Sequence, residues 1–197
     1  MSDTAIDVMG QVVADAARRR GLSLAVAESL TGGLIASALA RAEEASTWFR
    51  GGVVAYATEV KHDVLGVRPG PVVSEAAVVD MAGNVARLLG ADVGVAVSGV
   101  GGPEPQDGEP PGTVWIGVAT ATSTTARLHR FEDDPAAVCE ATVTAALGHP
   151  GRGDPLTGSC RGAVKRRRRP RPAPACPSSS GPRCRPPWPP RRARHGS

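Results

Sequence analysis

Leu22-Ser23-Leu24-Ala25-Val26-Ala27-Glu28-Ser29, then Leu30-Thr31-Gly32-Gly33, then Leu34-Ile35-Ala36-Ser37-Ala38-Leu39-Ala40-Arg41-Ala42 reads as a strand, a tight turn and a helix. Within the first eight residues, 24–27 are apolar at successive rather than alternate positions, as in a strand covered on both faces. A strand that passes directly into a helix opens a βα unit, which predicts an α/β fold. Ser29 would then lie at the carboxyl edge of the sheet, where α/β proteins bind ligands. The N–H groups of Thr31, Gly32 and Gly33 open the helix and find no partner inside it, so they can receive an anion or an oxyanion. Gly32 and Gly33 would let a substrate approach the backbone closely. A plainer role is also open, in which Ser29 or Thr31 only caps the helix.

The rest of the first 150 residues continues this alternation. Ile6, Met9, Val13 and Ala16-Ala17 recur at helical spacing over 4–20, with Arg18–Arg20 in the last turn before Gly21. Strands are predicted over 51–57 and 91–99, a short helix from Glu59 to Leu65, and a helix capped by Ser74 running to Leu89. Residues 112–120 and 124–131, separated by a polar turn, read as a hairpin, and 135–147 as a final helix. The expected architecture is a three-layer α/β/α sandwich with a mixed, mostly parallel sheet. It occupies residues 1–149.

Composition divides the chain at the same place. Residues 151–197 hold thirteen Lys or Arg against the single acid Asp154, whereas residues 1–150 hold ten against eighteen, so the overall charge of +4 conceals a body of −8 and a tail of +12. The tail also has ten of the eighteen prolines, in runs such as KRRRRPRP and CRPPWPPRRAR. Such a segment buries too little to offset its ordering entropy, and 150–197 is expected to be a disordered, Pro/Arg-rich tail. It would be either a polybasic arm for nucleic acid or a frameshift product of GC-rich DNA. Translating the other two frames beyond codon 147 tests the second origin, which fails if neither yields an amphipathic helical ending. Cys160, Cys176 and Cys184 have neither CxxC spacing nor a suitably placed His, which argues against zinc and against a disulfide framework. With no basic-then-apolar leader and no run of about 18 apolar residues, no membrane association is expected and a cytoplasmic location is.

Two more segments carry chemistry. Tyr56, the only tyrosine, ends the strand over 51–57, and Lys61, the only lysine in the first 150 residues, follows it. A desolvated lysine can lose its proton and serve a serine as base, which an arginine cannot; a solvated lysine on a short helix is the alternative. Ser98-Gly99-Val100-Gly101-Gly102-Pro103 follows the third strand, and its hydroxyl and backbone N–H groups suit phosphate or sugar recognition. It is not a P-loop, and a glycine-rich turn is its plainer explanation. The acidic loop over 101–112 would act as a lid. His62 and His129 show no partner, Asp133-Asp134 reads as a helix start, and Trp115 as core.

Taken together, AESLTGG (27–33), FRGGVVAYATEVKHDVLGV (49–67), SGVGGP (98–103) and PPGTVWIGVA (110–119) resemble the CinA C-terminal domain family, the nicotinamide-nucleotide amidases, over about residues 5–147. The resemblance implies an α/β/α sandwich that self-associates and, without metal or cofactor, hydrolyses the carboxamide of nicotinamide mononucleotide to nicotinate mononucleotide and ammonia. It implies Ser29 as nucleophile, Lys61 as base and Tyr56 as orienting group. Amides around Thr31, Gly32 and Gly33 would hold the oxyanion, and Ser98, Gly99, Gly101 and Gly102 the nucleotide. Four departures stand out. Leu30 replaces a usual Cys, Ala57-Thr58 a usual Ser-Asn, and Ser98 a usual Thr. The last helix reads Asp133-Asp134-Pro135-Ala136-Ala137-Val138-Cys139 where the family has roughly GDRxxVR, so both arginines are missing. An arginine there is the implied partner of the substrate phosphate, and losing such a contact costs about 2 kcal/mol. A nucleotide-binding module of the same fold without catalysis is therefore the alternative function.

Overall fold

The large and small residues of the central strands alternate, and this alternation sorts the helices onto the two faces of the sheet. The computed structural model describes residues 3–132 and 134–148, so the expected tail over 150–197 lies outside the described residues. The elements are α1 (Asp3–Arg20), β1 (Leu24–Glu28), α2 (Leu34–Arg41), α3 (Ala45–Trp48), β2 (Phe49–Val54), α4 (Thr58–Asp63), α5 (Glu75–Leu89), β3 (Val93–Gly99), β4 (Thr113–Thr120), β5 (Thr124–Arg130) and α6 (Pro135–Leu147).

Every residue of β1 and β3 is buried. On one face Leu24, Val26, Val93, Val95 and Val97 pack with α1, α2 and α6 through Ala14, Ile35, Leu39, Val138 and Val143. On the other, Ala25, Ala27 and Ala96 meet α5 through Val78, Met81, Ala82 and Val85. Small residues on this second face let α5 lie close. A Cβ added at Gly117 of β4 would come 2.6 Å from the Val78 carbonyl oxygen, and one at Gly94 would run into the Ala82 carbonyl. Aliphatic and alanine packing of this kind explains a 3% aromatic content in a chain with a full core.

The sheet runs β2-β1-β3-β4-β5. β1 pairs in parallel with β2 and β3, while β4 is antiparallel to both of its neighbours. Four strands therefore point one way and β4 alone is reversed. This is the expected α/β sandwich with a mixed sheet. Ser74 caps α5 by accepting from the Ala77 N–H, and Asp134 caps α6 by accepting from Ala136 and Ala137. The short α3 was not foreseen; its Trp48 is buried and donates its indole N–H to the Glu43 carbonyl at 3.2 Å. Among the described residues no helix is long and apolar enough to cross a membrane.

Candidate functional site

Chain direction makes the site. From β1 the chain leaves into α2 on one face, and from the adjacent β2 it leaves through α4 toward α5 on the other. Neighbouring parallel strands whose connections diverge in this way open a crevice at their carboxyl ends. Glu28, the last residue of β1, lies opposite Val54 of β2 and Val97 of β3. Ser29, the Tyr56–Lys61 segment and the Ser98–Gly102 segment therefore meet at one edge of the sheet.

Ser29 is 7% exposed and follows directly on β1. Its hydroxyl is not spent on capping α2, whose N-cap position is Gly33 at φ 105°, with no side-chain cap. Instead, Glu28 satisfies the helix opening. Its side chain is fully buried and accepts from the Gly33 and Ile35 N–H groups at 3.1 Å each, from the Ala36 N–H at 2.7 Å and from the Thr31 hydroxyl at 2.7 Å. The expected oxyanion site at Thr31–Gly33 thus needs correcting. The Gly33 N–H is taken by Glu28, and the Gly32 N–H closes a turn on the Ser29 carbonyl at 3.0 Å. The Thr31 N–H is the amide of the three left without a bond to another described group. Glu28 was missed in the sequence. Its signal was a carboxylate ending an apolar strand, a place where an acid needs several donors.

Lys61 lies on α4 and is 2% exposed. Its amine donates to the Tyr56 carbonyl at 3.2 Å. Burial lowers its pKa below the ordinary lysine value, while the Asp107 and Glu59 carboxylates pull it back up. The Tyr56 side chain is 70% exposed, so it is the Tyr56 main chain, rather than the expected phenol, that orients the amine. His62 and His129, both expected to lack a partner, have one: the His62 Nδ1 is 2.8 Å from the Val67 carbonyl oxygen, and the His129 ring stacks on Phe131.

The third segment divides. Ser98 is 1% exposed and donates to the Val72 carbonyl at 2.6 Å, so its hydroxyl braces the 72–73 loop instead of facing a ligand. Gly99 is small because β4 lies against it, with the Thr113 oxygen 2.7 Å from an added Cβ. Gly101 lies beside the Ser29 turn, where an added Cβ would be 3.9 Å from the Leu30 Cβ, and Gly102 adopts φ 87° near Pro111 and Pro135. The loop expected to be a lid is latched, since the Asp107 carboxylate accepts from the Val72 N–H at 2.7 Å and the Val73 N–H at 3.0 Å. On α6, the Cys139 thiol donates to the Leu30 carbonyl at 3.2 Å, and burial raises its pKa. A side chain at 139 therefore faces the Ser29 turn. Among the described residues no three His, Cys, Asp or Glu side chains are placed to hold a metal ion.

Known proteins share this fold. The CinA C-terminal domain profile matches residues 7–149. A CinA-like protein of Frankia casuarinae is 45% identical over 134 residues, 66% of this chain and 31% of that protein. A CinA-like protein of Salinibacter ruber is 43% identical over 142 residues, 69% of this chain and 34% of that protein. The chain thus spans about a third of the length of the curated relatives it matches. Among solved structures, a CinA superfamily protein of Klebsiella pneumoniae aligns at 36% identity and TM-score 0.70, covering 73% of this chain and 93% of that one. One from Escherichia coli aligns at 32% and 0.71, covering 75% and 90%. With the fold, the ordered motifs and these relatives in agreement, the chain belongs to the CinA C-terminal domain family.

Proposed function

We propose that this protein is a Ser–Lys amidohydrolase that hydrolyses the carboxamide of nicotinamide mononucleotide. The observation that carries the proposal is Lys61, a lysine 2% exposed, with its pKa lowered by burial, at the strand edge that also holds Ser29. Burying an amine costs stability and lowers its proton affinity, and groups shifted in this way cluster at functional sites. The substrate comes from the family resemblance.

In this mechanism the neutral Lys61 amine takes the Ser29 proton as Oγ attacks the carboxamide carbon. The Thr31 N–H and the backbone of Gly101, beside Leu30, are the proposed donors to the oxyanion. Lys61 then returns the proton to the leaving nitrogen, ammonia departs, and an ester to Ser29 remains. Water, deprotonated by the same amine, adds to the ester carbon and releases nicotinate mononucleotide and free Ser29. Every step is a proton transfer or acyl transfer, so no metal or cofactor is called for. The test is ammonia release from nicotinamide mononucleotide by the full chain, with Ser29→Ala and Lys61→Ala each reducing it to background. An active Ser29→Ala variant would refute the mechanism.

A second function is favoured by one feature: α6, Pro135-Ala-Ala-Val-Cys139-Glu-Ala-Thr-Val-Thr-Ala-Ala-Leu147, holds no basic residue. A non-catalytic nucleotide-binding module would bind the mononucleotide in calorimetry and release no ammonia.

A further inference from the structure

Glu28 is the most heavily bonded side chain near Ser29, and the mechanism above does not use it. Its Oε2 accepts from the Thr31 hydroxyl and the Gly33 and Ile35 N–H groups, and its Oε1 from the Ala36 N–H. Its main-chain carbonyl accepts from the Ala55 N–H at 2.7 Å. One residue thereby holds two things. Its side chain gathers residues 31–36 around a single buried point, and its backbone fixes the end of β1 to the residue before Tyr56. Ser29 lies between these two attachments, and Lys61 is bonded to the Tyr56 carbonyl.

We infer that Glu28 is a positioning residue that sets the Ser29 hydroxyl against the Lys61 amine. This inference rests on the amidohydrolase mechanism and deepens it. Four donors converge on this one carboxylate, three on Oε2 and one on Oε1. The opening of α2 is a place where an anion would bind, and Glu28 fills it from within the chain. The turn is thus held in one shape before substrate arrives. The charge developing on the substrate must be received on the other side of Ser29, toward Thr31 N–H and Gly101. An N–H-rich helix opening beside a nucleophile ordinarily reads as an oxyanion site; here its Gly33, Ile35 and Ala36 N–H groups are spent on Glu28, and of this turn only the Thr31 N–H is left for that role.

Glu28→Gln retains size but turns one acceptor end into an N–H₂, which must face a donor whichever way the amide sits. Ångström-scale displacement of a reacting group can cost about 100-fold in rate. Expected for the full chain with nicotinamide mononucleotide is a kcat for ammonia release lower by that factor, KM within about threefold, and unchanged far-UV circular dichroism. Thr31→Val removes one of the four donors and leaves the three main-chain bonds, so it tests the same role in a chain that folds even where Glu28→Gln does not. It should lower kcat about tenfold, and Thr31→Ser, which keeps the hydroxyl, should recover most of that loss. A folded Glu28→Gln or Thr31→Val variant with wild-type kcat overturns the positioning role, as does a loss confined to KM. A wild-type chain that releases no ammonia overturns the amidohydrolase mechanism itself, whatever the variants do.

Discussion

Replacing Lys61 by Met should make the protein more stable and inactive at once. Lys61 is 2% exposed, and methionine matches the volume of its stem, so the substitution introduces little strain. Lost with the amine is its bond to the Tyr56 carbonyl, worth about 1 kcal/mol. Removed with it is the cost of burying an amine that has one described bond for its three donor positions, about 2–3 kcal/mol. The net expectation is a gain of about 1–2 kcal/mol, or roughly 2–8 °C in Tm for a domain of this size. The pH dependence gives the sharper test. The Lys61 pKa is lowered in the folded protein, so between that value and the ordinary 10.5 the unfolded chain binds more protons than the folded one. Wild-type stability attributable to this group therefore rises with pH across that window. The penalty is fully present below the folded pKa and vanishes above 10.5. Urea unfolding of both proteins at pH 7 and pH 10 measures the difference, which should shrink as pH rises, while ammonia release by the variant stays at background. A variant less stable than wild type at pH 7, or a gap that widens with pH, would refute the account of Lys61 as a buried amine with lowered proton affinity.

Two further substitutions probe the packing and the substrate side. Gly117→Ala places a Cβ 2.6 Å from the Val78 carbonyl oxygen and 2.9 Å from its carbon, and backbone cannot yield as a side-chain tip does. It should cost about 1–3 kcal/mol in urea unfolding through displacement of α5, and an unchanged midpoint would show that α5 is not seated on this face. Cys139→Arg returns a guanidinium to a position that faces the Ser29 turn, exchanging a thiol–carbonyl bond of 3.2 Å for a phosphate partner. It should lower KM for nicotinamide mononucleotide about tenfold and leave that for the dephosphorylated nucleoside unchanged, in keeping with a charge-assisted contact of about 1.5–3 kcal/mol. Equal changes for both substrates would remove the phosphate argument.

The fold was legible because its signals are local and periodic. Successive apolar residues in 24–27 and 93–97, the Ser74 cap and the Asp134-Pro135 start each specify an element within a few residues. The α3 turn was not legible. Ala45–Trp48 is too short for a period, and Glu44 before it adopts the left-handed region at φ 52°, which a non-glycine residue does not announce in sequence. At the site, sequence order brought Ser29, Lys61 and the glycine loop to one edge, but it could not say which polar groups were already engaged. Ser98 looks in sequence like a ligand-facing hydroxyl, but its hydrogen bond goes to the Val72 carbonyl, 26 residues away. The amide of Gly33 looked open until Glu28, a residue that one-dimensional pattern reads as merely the end of a strand, filled the helix opening. Tyr56 contributes through its carbonyl, which any residue would provide, so its side chain was no guide. Hydrogen-bond satisfaction is a three-dimensional sum, and residue spacing carries only a part of it.

The electrostatics of Lys61 tie the two halves of the site together. Burial favours the neutral amine a base requires, and the carboxylates of Asp107 and Glu59 oppose it. Glu59 is fixed on α4 with Lys61, but Asp107 comes from the loop between β3 and β4, and its place depends on the two N–H bonds to Val72 and Val73. Those residues flank the carbonyl that Ser98 holds. The 72–73 segment is thus pinned from β3 on one side and latched to the acidic loop on the other. Displacing Asp107 from that latch would leave burial less opposed and lower the proton affinity of Lys61 further. In the proposed mechanism Ser98, expected to touch substrate, would act through this chain of contacts instead: it holds the segment that holds the carboxylate that raises the proton affinity of Lys61.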